Sequence, residues 1–197
     1  MNGPESSDIG AREGAPVALP EALALDRTVA LVGLMGAGKT TVGRRLAQVL
    51  GLAFKDADEE IATAAGRSVP DIFAAHGEPE FRRGERQVIA RLLAEPPHVL
   101  ATGGGAFMDP VTRALMKQRA ISVWLKAPLD VLMKRVTRRD DRPLLKEEDP
   151  RAVMQRLIDA RYPVYAEADI TIETGAGPHN SAVAAIVSAL RAYLVKA

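Results

Sequence analysis

Apolar positions follow two rhythms along the chain. Short unbroken runs at 28–32, 53–55, 98–101, 121–125 and 170–172 have the length and composition of strands buried on both faces. Over 41–50, 59–65, 69–75, 81–94, 110–118, 129–137, 149–162 and 181–196, apolar residues instead recur at the three- and four-residue spacing of amphipathic helices. Five strands separated by helices predict parallel βαβ units: an α/β fold, a three-layer αβα sandwich around a five-stranded parallel sheet, with active groups at the carboxyl ends of the strands. Lys55 breaks the apolar character of the second run. Its side chain must turn to solvent, or its strand must lie at a sheet edge.

Composition adds limits rather than detail. The chain has 197 residues, 47% hydrophobic and 26% charged, which suits one domain with a substantial core. Residues 1–25, rich in Gly, Pro, Ala, Ser and acids, read as a disordered tail before a single domain over 26–197. The tail has no basic segment leading into an apolar core, and Glu5, Asp8, Glu13 and Glu21 argue against a transit peptide. A formal net charge of +1 carries no overall basic footprint, so nucleic acid is not an expected partner. No run approaches the roughly 18 apolar residues of a membrane span. The chain contains no cysteine, which excludes disulfide and thiolate chemistry. A cytoplasmic protein is expected, and a monomer, because no long apolar heptad announces an interface.

Chemistry enters at Gly33-Leu34-Met35-Gly36-Ala37-Gly38-Lys39-Thr40, directly after the first apolar run. This is the phosphate-binding pattern GxxxxGK[ST] in its strand-to-helix context. Glycines allow consecutive N–H groups to face inward, and the following helix N-terminus adds partial positive charge. Gly36, Ala37, Gly38 and Thr41 are the expected main-chain neighbours of ATP. Lys39 would reach the β- and γ-phosphates, and the Thr40 hydroxyl would sit on Mg²⁺.

Four further clusters fall near strand ends. Asp56-Ala57-Asp58 offers two carboxylates, which share one side if the backbone stays extended; one could serve the metal and the other a substrate, or the pair could simply cap a helix. Thr102-Gly103-Gly104-Gly105 lets a small molecule approach the main chain, or is a plain turn. No Asp follows this third strand, which leaves Asp56 as the metal-side carboxylate, acting through water. In Phe81-Arg82-Arg83, Arg82 is a candidate carboxylate ligand beside the apolar wall of Phe81, and Arg83 reads as a surface residue. Arg138-Arg139-Asp140-Asp141-Arg142-Pro143-Leu144-Leu145 is a charged loop of the kind that can close as a lid over 137–150 and bring an arginine onto a transferring phosphate. Arg161 lies near the end of a helix, before Tyr162-Pro163.

In order and spacing, the phosphate loop, Asp56-x-Asp58, Gly66-Arg67-Ser68, Asp71-Ile72-Phe73, Glu80-Phe81-Arg82-Arg83-x-Glu85, Gly103-Gly104-Gly105, Arg142-Pro143-Leu144-Leu145 and Arg161-x-x-x-Tyr165 resemble the shikimate kinase family. The resemblance implies ATP- and Mg²⁺-dependent phosphorylation of the 3-hydroxyl of shikimate, a step of chorismate and aromatic amino-acid synthesis. It further implies that Asp56 holds the metal's water shell, and that Asp58 binds substrate hydroxyls and accepts the proton of the attacking one. By the same likeness Arg82 and Arg161 clamp the substrate carboxylate, with the glycines of 103–105 lining the ring. Residues 57–94 form the substrate-binding region, Arg142 enters from the lid, and Arg135 stacks on adenine. Two rivals share the phosphate loop. A gluconate kinase would not need this pair of carboxylate-clamping arginines with the glycine triplet in the same arrangement, and a silent nucleotide-binding regulator would not need Lys39, Thr40, Asp56, Asp58 and Arg142 together.

Overall fold

The computed structural model describes residues 23–136, 149–175, 177 and 179–196. Five strands, β1 (Thr28–Val32), β2 (Ala53–Asp56), β3 (His98–Ala101), β4 (Ala120–Lys126) and β5 (Ile170–Glu173), form one sheet in the order β2-β3-β1-β4-β5, and every pairing is parallel. Position in the sheet explains the strand sequences. Central β1 and β3 are buried at every residue, whereas β5 at one edge alternates buried and exposed and β2 at the other is nowhere fully buried. Lys55 thus lies on an edge strand, its ammonium paired with Glu95.

Among the described residues seven α-helices cover the sheet: α1 (Lys39–Leu50), α2 (Ala57–Ala65), α3 (Val69–Leu92), α4 (Pro110–Arg119), α5 (Leu129–Val136), α6 (Pro150–Tyr165) and α7 (His179–Lys196). From β1 the chain moves outward to β2, and from β3 it crosses the other way to β4. Right-handed crossovers in opposite directions put their helices on opposite faces and open a crevice between the carboxyl ends of β1 and β3. The phosphate loop follows β1 and the glycine triplet follows β3, so the two face each other across that crevice. Leu31, Leu46, Ile89, Leu100, Phe107 and Leu125 are among the fully buried side chains that fill the layers beneath it, and Leu23 and Leu25 pack against this core.

Most boundaries fall within two residues of expectation, and three differences have a local physical cause. The helices expected at 69–75 and 81–94 are one element, α3, kinked at Gly77 (φ 74°, ψ 175°). Pro79 tolerates this because its ring needs no amide donor in the turn after the kink. Helix α6 runs past Pro163 to Tyr165; the proline forfeits one backbone bond, but the fully buried Tyr165 ring holds the last turn in place. Helix α2 starts at Ala57 rather than two residues later, because Asp56 caps it. Arg142 and residues 137–148 of the expected lid lie outside the described residues, as do residues 1–22 of the expected tail.

Candidate active site

Gly38 is the N-cap of α1 in the left-handed conformation (φ 98°) and brings no side-chain acceptor. The first N–H groups of α1 are therefore left facing the loop, the arrangement that receives an anion. Lys39 Nζ donates to the carbonyls of Gly33 (2.8 Å) and Leu34 (3.0 Å), so its ammonium is folded over the loop it serves. The Thr40 hydroxyl donates to Asp56 Oδ2 at 2.8 Å, joining the first turn of α1 to the end of β2.

Asp56 does two things at once. Its Oδ1 accepts the Asp58 amide at 3.1 Å, capping α2, while Oδ2 faces Thr40. Because helix starts at Ala57, the backbone is not extended through Asp58 and the two carboxylates do not share a side by strand alternation. Asp56 faces α1, and Asp58 faces the glycine triplet: a Cβ placed on Gly103 would stand 3.0 Å from Asp58 Oδ1.

The triplet is a meeting point of side chains from three elements. Thr102, buried at the end of β3, donates its hydroxyl to Leu31 O (2.9 Å) and pins the turn to β1. Arg161 Nη1 donates to Gly104 O at 3.0 Å, and the Tyr165 hydroxyl donates to the same carbonyl. A Cβ on Gly105 would lie 2.4–2.5 Å from the Arg82 guanidinium. A Cβ on Gly103 or Gly105 would thus press on these side chains, whereas one on Gly104 would meet only ordinary contact, 3.5 Å from Arg161 Nη1.

Arg82 lies over the Phe81 ring (5.2 Å), itself stacked on Phe73 (4.3 Å between centroids). The Phe81 ring is 4% exposed, so it supports the guanidinium more than it walls a ligand. Arg82 donates to Glu78 (3.2 Å) and to Glu85 Oε2 (2.6 Å). Arg83 points outward to Glu80, as a surface arginine should.

Glu85 carries no role in the sequence reading. It is 2% exposed, its Oε1 accepts no hydrogen bond, and that oxygen would be 2.8 Å from a Cβ on Gly103. Its spacing of three from Arg82 on a helix is the one signal that could have found it. Burial raises the Glu85 carboxyl above its ordinary range, against the pull of Arg82, with Asp58 and Asp109 adding to the rise. Burial also works against the Arg82 charge, but Glu85 and Glu78 more than offset it and Arg82 moves up. Both members of the pair shift upward because Glu85 is much the deeper: its side chain is 3% exposed against 25% for Arg82. Burial pushes the Tyr165 hydroxyl up to about 12, with Arg161 opposing, so it remains a hydrogen-bond donor to the triplet.

On the other flank of the phosphate loop, Arg135 of α5 donates to the carbonyls of Gly36 (3.3 Å), Ala37 (3.2 Å) and Gly175 (2.8 Å). Burial lowers its pKa. It bridges the loop to the segment between β5 and α7.

The sequence profile described as shikimate kinase matches residues 35–191 of this chain. The chain belongs to the shikimate kinase family. It is 62% identical over 165 residues to the shikimate kinase of Caulobacter vibrioides (strain NA1000 / CB15N), covering 84% of this chain and 82% of the relative. With the shikimate kinase of Rhodopseudomonas palustris the identity is 57% over 172 residues, covering 87% and 85%. The fold superposes on the shikimate kinase from Acinetobacter baumannii in complex with shikimate with a TM-score of 0.81 at 41% identity, over 84% of this chain and 93% of that one. A gluconokinase from Sinorhizobium meliloti 1021 matches with a TM-score of 0.51 at 18% identity, over 84% and 96%, and shares the fold alone. The family gives the chain its activity: it is a kinase, with ATP as donor and shikimate as acceptor.

Thr40 and Asp56 suit the magnesium ion that such a kinase implies. A hydroxyl and a carboxylate 2.8 Å apart are hard oxygen donors, and Mg²⁺ is commonly held by one or two protein oxygens with water and phosphate filling the rest. Among the described residues there is no cluster of three or more His, Cys, Asp or Glu able to hold a metal by themselves, and none is required.

Proposed function

We propose that the γ-phosphoryl group passes to the 3-hydroxyl of shikimate across the crevice between β1 and β3, with the acceptor held between Asp58, the glycine triplet, Arg82 and Arg161. The observation that carries this reading is the convergence of one exposed carboxylate and two guanidinium groups on Gly103–Gly105, opposite the phosphate loop. A cyclic hydroxy-acid needs such a set: cations for its carboxylate at one end, and an acceptor for its hydroxyl protons at the other.

Each residue has a definable task. Lys39 leaves its two loop carbonyls for the phosphates, while the amides of Gly36, Ala37, Gly38, Lys39, Thr40 and Thr41 line the α1 end of the cradle. Asp58 accepts hydrogen bonds from the acceptor's hydroxyls and the proton of the attacking one. Arg82 exchanges its exposed partner Glu78 for the substrate carboxylate and keeps Glu85 as its anchor, and Arg161 closes the clamp from α6. Arg135 faces the nucleotide from α5. From the 137–150 segment, Arg142 meets the transferring phosphoryl group. Thr40, and Asp56 through water, would hold Mg²⁺, which would supply charge neutralisation to the phosphates. Transfer of this kind depends mainly on positioning and charge stabilisation, and it requires exclusion of water.

The test is Mg²⁺-dependent ADP release with shikimate, gluconate and quinate offered separately. Release with shikimate alone, yielding shikimate 3-phosphate, is the expected outcome. Equal release with gluconate, an open-chain hydroxy-acid that also carries a carboxylate, would refute an acceptor site shaped for the shikimate ring.

A further inference from the structure

His179 opens α7 beside the phosphate loop. A Cβ on Gly38 would lie 3.5 Å from its Cε1 and 3.7 Å from its Nδ1, with Arg135 Nη1 at 3.8 Å from the same point. The ring also lines a cavity of about 100 Å³ with Ala37, Arg135, Thr174, Gly175 and Ala182. Its setting is overwhelmingly positive. Arg135 faces it from α5 and Arg45 from α1, and the N-termini of α1 and α7 both lie at this point. Lys39 stands next to Gly38 in the loop. Glu173 of β5 lines the same cavity, but its carboxylate is paired with Lys126 at 2.9 Å. Asn180, the next residue, takes Arg45 Nη1 at 2.9 Å and holds that cation near the ring.

We propose that His179 is a nucleotide-contacting residue that takes up a proton when the phosphate loop is filled, so that nucleotide binding tightens as pH falls. The proposal rests on the phosphate loop being the nucleotide site. With the loop empty, burial and the neighbouring Arg135 and Arg45 charges hold the imidazole below its ordinary value and therefore neutral near pH 7. A bound nucleotide brings several negative charges to the glycine that the ring touches. They offset the surrounding cations, and an imidazolium N–H can then donate to a phosphate oxygen. The cationic form is favoured in the complex, so the midpoint of titration is higher there than in the free protein. Affinity must rise as pH falls between those two midpoints, and level off outside them. Charges at this range and in this partly buried setting change a proton affinity by roughly tenfold, and nucleotide affinity rises by the same factor.

The chain has three histidines, His76, His98 and His179, so each imidazole can be followed by NMR from about pH 5.5 to about pH 8.5, the range in which histidine titrates, with and without saturating ADP and Mg²⁺. His179→Gln assigns the signal, with His179→Asn as a second variant. The expected result is an upward move of the His179 midpoint in the complex, together with an ADP affinity that gains about tenfold more from acidification in wild type than in either variant. The nucleotide's own titration is common to all three proteins and cancels. ADP binding with an unmoved His179 midpoint overturns the proposal and leaves the nucleotide site intact. Failure of ADP to bind at any pH overturns both.

Discussion

Gly105→Ala tests the substrate clamp with a single methyl group placed on the turn against Arg82. The new Cβ would stand 2.4 Å from both terminal nitrogens of Arg82 and 2.5 Å from its Cζ, whereas ordinary contact begins near 3.4 Å. The guanidinium must therefore retreat by about 1 Å, which stretches its 2.6 Å bond to Glu85 Oε2 and takes its planar fork off the position for a bidentate carboxylate. A misplacement of that size costs roughly 10²-fold, within the ~2–5 kcal/mol seen when a desolvated charge pair loses a member. In steady-state kinetics kcat/KM for shikimate should fall about 30- to 100-fold, mainly through KM, because the carboxylate is remote from the reacting hydroxyl. The KM for ATP should change by less than about threefold on the same reasoning. Gly84→Ala is the control: it sits on the same helix as Arg82, no atom lies within 4 Å of its would-be Cβ, and it should be neutral or stabilising by about 0.5–1 kcal/mol. A folded Gly105→Ala enzyme with the wild-type shikimate KM would refute the placement of Arg82 in the clamp.

Asp58→Asn should lower kcat by roughly 10²- to 10⁴-fold if the carboxylate takes the hydroxyl proton; an unchanged kcat removes it from the chemistry. Thr40→Val deletes the hydroxyl that meets Asp56 at 2.8 Å and should raise the Mg²⁺ needed for half-maximal rate about 10- to 100-fold, so an unshifted Mg²⁺ titration would count against the proposed metal site. Tyr165→Phe leaves the ring in its buried position but loses the donor to Gly104 O; thermal unfolding should show a loss of about 0.5–1.5 kcal/mol, with a lower kcat/KM for shikimate, and no change in either would make the hydroxyl incidental. Burial raises the Glu85 carboxyl, with Arg82 opposing. Stability from a group whose folded pKa is raised is present below its unfolded value and is lost as pH rises through the folded one. Wild type should therefore lose more stability than Glu85→Gln as pH rises from about 4, and urea midpoints that run parallel in the two proteins would show that burial does not raise the Glu85 carboxyl.

What the sequence determined alone is what adjacent residues decide. The succession of strands and helices and the phosphate loop are contiguous stretches whose periodicity and glycines act within a few residues, whereas Asp56 was legible only as one of two readings, cap or ligand. For Lys55 the sequence left two solutions, a side chain turned to solvent or an edge strand, and the sheet order decided for the edge. Boundaries were less so: Pro163 reads as a stop, and only the burial of Tyr165 shows why α6 continues through it.

The tertiary structure alone decided which distant residues share a site. Asp58 and Asp56 are two residues apart yet serve different neighbours, because a helix begins between them. Arg82 on α3, the triplet after β3, and Arg161 and Tyr165 on α6 are separated by dozens of residues and meet because opposite crossovers from β1 and β3 open one crevice. Glu85 and His179 show the limit most clearly. The only local mark is the three-residue spacing of Glu85 from Arg82, and His179 has none, since burial, an unpaired oxygen and a surrounding field of cations are properties of packing between distant segments.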